Sequence, residues 1–235
     1  MGETDYAVEI SWASERHLRV CFGAADDARA RSRVHPALAA IREARVPGLA
    51  DVIPAYSTLL LEFTAARLNE ERVLASVRRA VAEARDSPAA PEAVIINIPV
   101  CYDPSCAPDL AAVAKMHGID AETVIRLHTE PTYRVQFIGF MPGFGYLTGL
   151  PPLLATPRLE TPRVRVPAGS VGIAGDQTGI YPRESPGGWR LVGRTPLVLF
   201  DARRPRASLL AAGDRVRFVP ISLAEFEGHA RHEST

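Results

Sequence analysis

Residues 141–189 read MPGFGYLTGLPPLLATPRLETPRVRVPAGSVGIAGDQTGIYPRESPGGW. Glycine and proline recur so often here that no helical period survives. Short β-prone runs sit between them and continue beyond: VRVP (164–167), SVGIAG (170–175), GIYP (179–182), WRLVGR (189–194), PLVLF (196–200) and DRVRFVP (214–220). Short strands joined by tight turns spell a small barrel or a sandwich. Aromatic and aliphatic residues are interleaved throughout, which excludes a disordered segment.

Upstream, TYRVQFIGF (132–140) alternates as a strand, with Tyr133, Val135 and Phe137 on one face. Helices are expected at 108–117 and 120–128, the second opened by Asp120 as N-cap with Thr123 at N3. The first part of the chain mixes strands and helices. YAVEISW (6–12) and HLRVCF (17–22) flank ASER and read as a hairpin. Residues 26–45 carry Val34, Leu38 and Ile41 on one helical stripe, ended by Pro47-Gly48. ADVIPAY (50–56) and STLLLEF (57–63) are further strands, and 69–85 is a second helix with Asn69 as N-cap. DSPAAPE (86–92) is a linker signal, and AVIINIPV (93–100) is a strand. Residues 17–85 thus give β-α-β-β-α. The strand at 93–100 either completes a ferredoxin-like unit or opens the second domain. The expectation is an α+β protein with domains at 1–90 and 91–235.

The 235 residues carry 27 basic and 27 acidic side chains, a net charge of zero. That balance argues against nucleic acid, whose phosphates need a basic surplus. No apolar run is long enough for a membrane span, and MGETDYAVEI carries neither a secretory signal nor a myristoylation motif. A cytoplasmic protein is expected. Three cysteines make no disulfide framework. Lys115 is the only lysine, so lysine chemistry has one candidate, and no GxxxxGK[ST] loop is present.

Polar residues stand at the turn tips of the Gly/Pro-rich segment: Arg163, Arg165, Gln177, Tyr181, Arg183, Ser185, Trp189 and Arg190. Arginine suits carboxylate or phosphate recognition. RVRVP (163–167) places Arg163 and Arg165 on one strand face. A solvated face is the plain alternative, as a simple turn is for SPGGW (185–189). His128 and Glu130 lie two apart beside Tyr133. In an extended segment they share a face and form a general acid/base pair. The other reading is a hydrogen-bonding network at a helix-to-strand junction. HExxH and GxSxG are absent, and Cys101 with Cys106 has no partner pair, so no metal site is expected. Cys106 reads as a buried thiol.

The run 125–201, from IRLHTEPTYRVQFIGF to LVGRTPLVLFD, closely resembles the family known as PxpB, KipI or allophanate hydrolase subunit 1. IPVCY with PDL and AxxH (98–117) and GDRVRFVPI (213–221) are similar to it too. The resemblance spans about 45–221. It is weaker before that, where SWASERHLRVCFG replaces an ALLVEFG-like strand, and Cys106 stands where an aromatic is usual.

The resemblance implies an N-terminal ferredoxin-like domain and a C-terminal cyclophilin-like β-barrel. It implies the B-type component of an ATP-dependent 5-oxoprolinase. That enzyme opens 5-oxo-L-proline to L-glutamate, with a PxpC-type (allophanate hydrolase subunit 2) partner and a PxpA-type protein. ATP is the implied co-substrate, with magnesium, and no biotin is attached to this chain. The alternatives are a urea carboxylase-type subunit 1 and a KipI-like histidine kinase inhibitor acting through the N-terminal domain. The matching positions are His128, Glu130 and Arg163 as catalytic groups. Tyr133, Gln177, Tyr181, Pro182, Ser185, Gly187, Gly188 and Trp189 are the substrate-binding ones. Arg163, Gln177 and the Gly187–Gly188 amides are expected to steady phosphoryl oxygens, and His128 with Glu130 to move protons.

Overall fold

The structure, a computed structural model, describes residues 8–64, 68–84 and 95–232. Contacts divide the chain into two compact units, 1–92 and 93–235. In the first, β1 (Glu9–Ser14) and β2 (His17–Cys21) form a hairpin. It leads into α1 (Ala28–Glu43), β3 (Leu49–Pro54), β4 (Thr58–Phe63) and α2 (Glu70–Glu83). Asp27 and Asn69 cap the two helices, accepting the N–H of Arg29 at 2.8 Å and of Arg72 at 3.0 Å. The sheet is antiparallel, in the order β1-β2-β4-β3. Alternation puts Leu18, Val20, Leu59, Leu61 and Phe63 on one face, in one core with Val34, Leu38 and Ile41 of α1 and Val73 and Val77 of α2.

The order β2-β4-β3 with its two helices is the centre of a ferredoxin-like fold. The edge beside β2 is where that fold places the strand following its second helix. Here β1 holds it. The strand at 93–100 is therefore free for the second unit, which settles the alternative left open by the sequence. The linker expected at 86–92, and the first residues of the strand expected at 6–12, lie outside the described residues.

The second unit opens with β5 (Ile95–Cys101), α3 (Leu110–His117), α4 (Ala121–Thr129), β6 (Tyr133–Ile138), β7 (Gly145–Thr148) and β8 (Arg163–Val166). Then follow β9 (Ser170–Ala174), β10 (Gln177–Ile180), β11 (Ser185–Gly187), β12 (Arg190–Arg194), β13 (Arg215–Ile221) and α5 (Leu223–His232). Seven strands close a barrel in the order β10-β7-β6-β13-β5-β12-β9, and β9 pairs back onto β10. β5 and β13 run parallel over their whole length, from Ile95 opposite Arg215 to Cys101 opposite Ile221. Val135, Leu147, Val171, Ile173, Ile180 and Val216 are fully buried in the barrel core.

β8 and β11 stand apart as a two-stranded ribbon. SPG, a turn by composition, is thus a strand. Proline is tolerated at the edge of a ribbon, where its missing N–H leaves no ladder position empty. PLVLF, a strand by composition, makes only a single bridge, Phe200 to Ser208. α5 begins with a capping box: Ser222 Oγ accepts the Glu225 N–H at 3.2 Å, and Glu225 Oε2 accepts the Ser222 N–H at 2.7 Å. No described helix is long and apolar enough to cross a membrane.

Candidate functional site

On β9 and β10 the residues facing outward include Gly172 and Gly179. A Cβ on Gly179 would lie 3.0 Å from the Trp189 ring and 3.1 Å from the Phe144 ring, and one on Gly172 would lie 3.0 Å from the Trp189 Cβ. The bare backbone lets Trp189 lie against the barrel wall. Around it Phe144 sits edge-on at 5.5 Å, Tyr146 at 5.7 Å, and the Arg158 guanidinium lies 5.9 Å over the indole. Tyr181 packs edge-on to Phe144 at 5.2 Å. Its hydroxyl lies against Gly187, where a Cβ would come within 2.5 Å of it. Gly187 is therefore small because Tyr181 needs the space. Burial holds the Tyr181 phenol above its ordinary range, while a bond from the Trp189 backbone N–H and the nearby Arg158 and Arg163 charges pull the other way.

Phe140 caps this cluster from outside. It is 60% exposed and sits edge-on to Phe144 at 5.5 Å and Tyr181 at 6.3 Å. Its φ is +65°, and the Met141 N–H returns to the Gly139 carbonyl at 2.7 Å across it. A three-residue turn with positive φ on a bulky residue is strained by about 1–3 kcal/mol. Gly143, at φ +83°, lets the loop press onto Phe200 and Pro182.

Arg163 begins β8, opposite Gly187 of β11. Its Nη2 donates to Asp109 Oδ1 at 2.7 Å. Asp109 Oδ2 accepts the Leu191 N–H at 2.6 Å, and the Asp109 N–H donates to the Leu191 carbonyl at 2.9 Å. Asp109 stands at the N-cap of α3 yet makes no capping bond. Its carboxylate is spent on Arg163 and β12 instead. Arg163 Nη1 is buried with no hydrogen-bond partner among the described residues. An unmet buried donor costs about 1–3 kcal/mol, more when charged, so this nitrogen marks a place for an acceptor.

His128 is different. It is fully buried among residues from opposite sides of the barrel ring. The ring stacks on Phe218 at 4.5 Å, Nε2 lies 3.0 Å from Thr178 Oγ1, and Nδ1 lies 2.8 Å from the Tyr102 hydroxyl. Thr178 donates its own proton to the Gly172 carbonyl at 3.0 Å. It therefore accepts from Nε2–H, and Tyr102 donates to Nδ1. Tyr133 donates to the His128 carbonyl at 2.8 Å. Every polar atom has a partner in the neutral state. Burial lowers the imidazole pKa from 6.5 to about 3.

The sequence matches the family described as carboxyltransferase domain, subdomain C and D, over residues 8–210. The chain belongs to that family. Among its relatives is the B-subunit of 5-oxoprolinase from Bacillus subtilis (strain 168), 38% identical over 230 residues, covering 94% of this chain and 96% of that one. The solved structure of TTHA0988 is 39% identical with a TM-score of 0.74. The match takes in 88% of this chain, which spans only 40% of TTHA0988. The K. lactis urea amidolyase, 22% identical with a TM-score of 0.70 over 97% of this chain and 16% of its own, shares the fold.

For this member of the carboxyltransferase subdomain C and D family, the expected site residues fall into two sets. Arg163, Tyr181, Pro182, Gly187 and Trp189 come together around the β8–β11 ribbon. Gly188 and Ser185 flank them, with the Gly188 carbonyl accepting the Leu159 N–H at 2.7 Å and Ser185 bonded to the Pro186 carbonyl at 3.1 Å. Gln177 is buried at the start of β10, on the outward face it shares with Gly179. His128 and Tyr133 lie in the barrel interior.

The His128–Glu130 proton pair is not formed. Residues 121–129 are helical, so positions two apart point to different sides. Glu130 instead pairs with Arg126 at 3.6 Å on the surface. Arg165, placed on one strand face with Arg163, is held bidentately by exposed Glu184 at 3.0 and 2.8 Å, as on a solvated face. Burial, and the Cys101 thiol beside it, push the Cys106 thiol up, as fits a buried thiol. Asp109 and Phe140 were missed. An aspartate before a short helix reads as a cap, and its pairing 54 residues away leaves no local mark. GFMPG (139–143) carried a signal, since Gly139, Pro142 and Gly143 are turn residues that take Phe140 out of the strand before it.

Proposed function

We propose that this chain is the B-type component of an ATP-dependent 5-oxoprolinase, working in the cytoplasm with a PxpC-type and a PxpA-type protein. The observation that carries the reading is the end-to-end match to the B. subtilis relative, which leaves no large part of either chain unmatched. A lactam resists opening because its amide is resonance-stabilised. Transfer of the ATP γ-phosphoryl group to the lactam oxygen activates the carbon. Water then adds, the C–N bond breaks with a proton passing to nitrogen, and hydrolysis of the acyl phosphate yields glutamate and phosphate. Such a site works mainly by position and charge.

In this chain Arg163 supplies the charge and a free donor. Trp189, Tyr181 and Phe140 supply an apolar wall that limits water. Gln177 and the Gly187–Gly188 backbone supply further polar contacts. Magnesium belongs to the nucleotide in this reading and enters with its phosphates. His128 serves here as part of the scaffold and not as a base.

The test is ATP hydrolysis and glutamate release driven by 5-oxo-L-proline in a mixture of this chain with its PxpA-type and PxpC-type partners, omitting each in turn. Turnover that vanishes when this chain is left out is the expected result. A mixture that stays inert while this chain binds its PxpC-type partner overturns the substrate assignment and moves urea carboxylation ahead.

A further inference from the structure

We propose that Arg163 is the receptor for a carboxylate on the substrate, and that Asp109 is the residue that positions it. The inference rests on the 5-oxoprolinase reading and deepens it. It departs from the expectation that Arg163 serves transferring phosphoryl oxygens.

Three observations carry it. The first is the division of labour on the guanidinium. Nη2 is tied to Asp109 Oδ1 at 2.7 Å, while Nη1 is buried and has no partner among the described residues. The side chain as a whole is 29% exposed, so a fork held on one side keeps a second, unspent nitrogen that a small turn of the guanidinium brings to one acceptor oxygen. The second is the rigidity of the anchor. Asp109 bonds the Leu191 N–H at 2.6 Å with its other oxygen and returns its own N–H to the Leu191 carbonyl, so the carboxylate is fastened to a barrel strand. It does this in preference to capping α3, the ordinary task of an aspartate at that position.

The third is the charge and shape of the surroundings. The charges that act on the Tyr181 phenol are Arg158 and Arg163, and Asp109 offsets one of them. A guanidinium beside the aromatic rings of Tyr181 and Phe140 suits a carboxylate carried on a small apolar ring. A phosphoryl group in transfer spreads its charge over three oxygens and calls for several cations. 5-Oxo-L-proline is a five-membered lactam with one carboxylate, which is the chemistry this corner fits.

The experiment has two arms. In the reconstituted complex, Asp109→Asn keeps the size of the side chain and an acceptor for Leu191 but removes the charge that holds Arg163. The expected result is a KM for 5-oxo-L-proline raised roughly 10–100-fold, the range for residues that orient a binding side chain. The KM for ATP stays at its wild-type value, while the thermal midpoint falls by a few degrees, because the amide nitrogen of Asn now faces the Arg163 guanidinium. The split between the two KM values is therefore the deciding readout. Arg163→Gln gives the same split, more strongly. Unchanged KM for 5-oxo-L-proline in both variants, or an equal rise in both KM values, overturns the proposal.

In the second arm, Trp189 emission is followed in a Trp12→Phe background. 5-Oxo-L-proline, its decarboxylated analogue 2-pyrrolidinone and inorganic phosphate are each titrated, with the chain alone and in the complex. A response to 5-oxo-L-proline only, weakened by Asp109→Asn, supports the carboxylate site. An equal response to 2-pyrrolidinone or phosphate, or no response to any, overturns it. Because this arm reads binding without turnover, it separates failure of the carboxylate site from failure of the 5-oxoprolinase reading.

Discussion

His128 and Arg163 stand in segments that look equally functional in sequence, yet they sit in opposite kinds of place. The His128 imidazole is sealed inside the barrel, with both ring nitrogens bonded, its carbonyl bonded and its face stacked on Phe218. The Arg163 guanidinium lies at the ribbon outside the barrel wall, with one nitrogen anchored and the other left without an acceptor among the described residues. A saturated buried polar group is a structural device, because any change of partner or charge costs free energy. An unsaturated one, held rigidly, is ready for a ligand. The difference between the two regions lies in unmet hydrogen-bonding capacity rather than in residue type.

The comparison can be broken most forcefully at His128. His128→Ala removes a packed ring and strands Tyr102 and Thr178, so folding should weaken by about 5 kcal/mol. Urea unfolding followed by circular dichroism reads this. A loss below about 1 kcal/mol would mean that the interior is not what the hydrogen bonds suggest.

Acid comes next in size. The folded-state pKa of His128 is lowered to about 3, against 6.5 in the unfolded chain. The unfolded state therefore binds the proton first. The stability contributed by the neutral ring is whole above pH 6.5 and drains away as pH falls towards 3, by on the order of 4 kcal/mol. Unfolding free energies measured between pH 7 and 4 should fall with a slope that His128→Asn lacks. Equal slopes for the two proteins would refute the sealed-neutral picture.

At the open region, Arg163→Ala should lower kcat/KM for 5-oxo-L-proline in the reconstituted complex about 100-fold. It also leaves the buried Asp109 carboxylate without its cation, so stability should fall by about 3–5 kcal/mol as well. Full activity in this variant would remove the ribbon from the site. Gly187→Ala drives a methyl into the Tyr181 hydroxyl and should cost roughly 1–3 kcal/mol. If the melt does not move, the contact is looser than its geometry implies. The smallest effect belongs to Phe140→Gly. Relief of the positive φ offsets the lost ring contacts, so stability should stay within about 1 kcal/mol of wild type. Activity should nevertheless drop, and a variant that keeps both would make the strained turn an accident of packing.

Much of this organisation was legible in the sequence. Asn69 and Asp120 signalled helix starts that were found, because capping is a local interaction between residues two or three apart. The Gly/Pro-rich texture of 141–189 announced short strands and turns. What failed depended on longer distances or on the wrong local geometry. His128 and Glu130 were paired by assuming an extended chain, and the helix over Ala121–Thr129 turned them apart. The edge position filled by β1 could not be read, since either β1 or the strand at 93–100 had the right composition. Asp109 needed its partner on a strand far along the chain. Trp189 was singled out in the sequence as a substrate-binding residue, but the reason for its place against the barrel, two glycines on neighbouring strands, emerges only once those strands lie side by side.

The parallel pairing of β5 with β13 has a consequence for synthesis. Ile95–Cys101 is the first strand of the second unit and Arg215–Ile221 its last. On the ribosome, the early strand must wait with its edge open until about 100 further residues have emerged, and at roughly 5–20 residues per second that takes many seconds. The first unit has no such wait, because every strand pairing described within it lies between residues 9 and 63. The nascent chain thus has an early region able to complete itself and a later one whose closure depends on its final strand. During that interval the unclosed barrel is where a chaperone, or an unwanted neighbour, finds apolar surface.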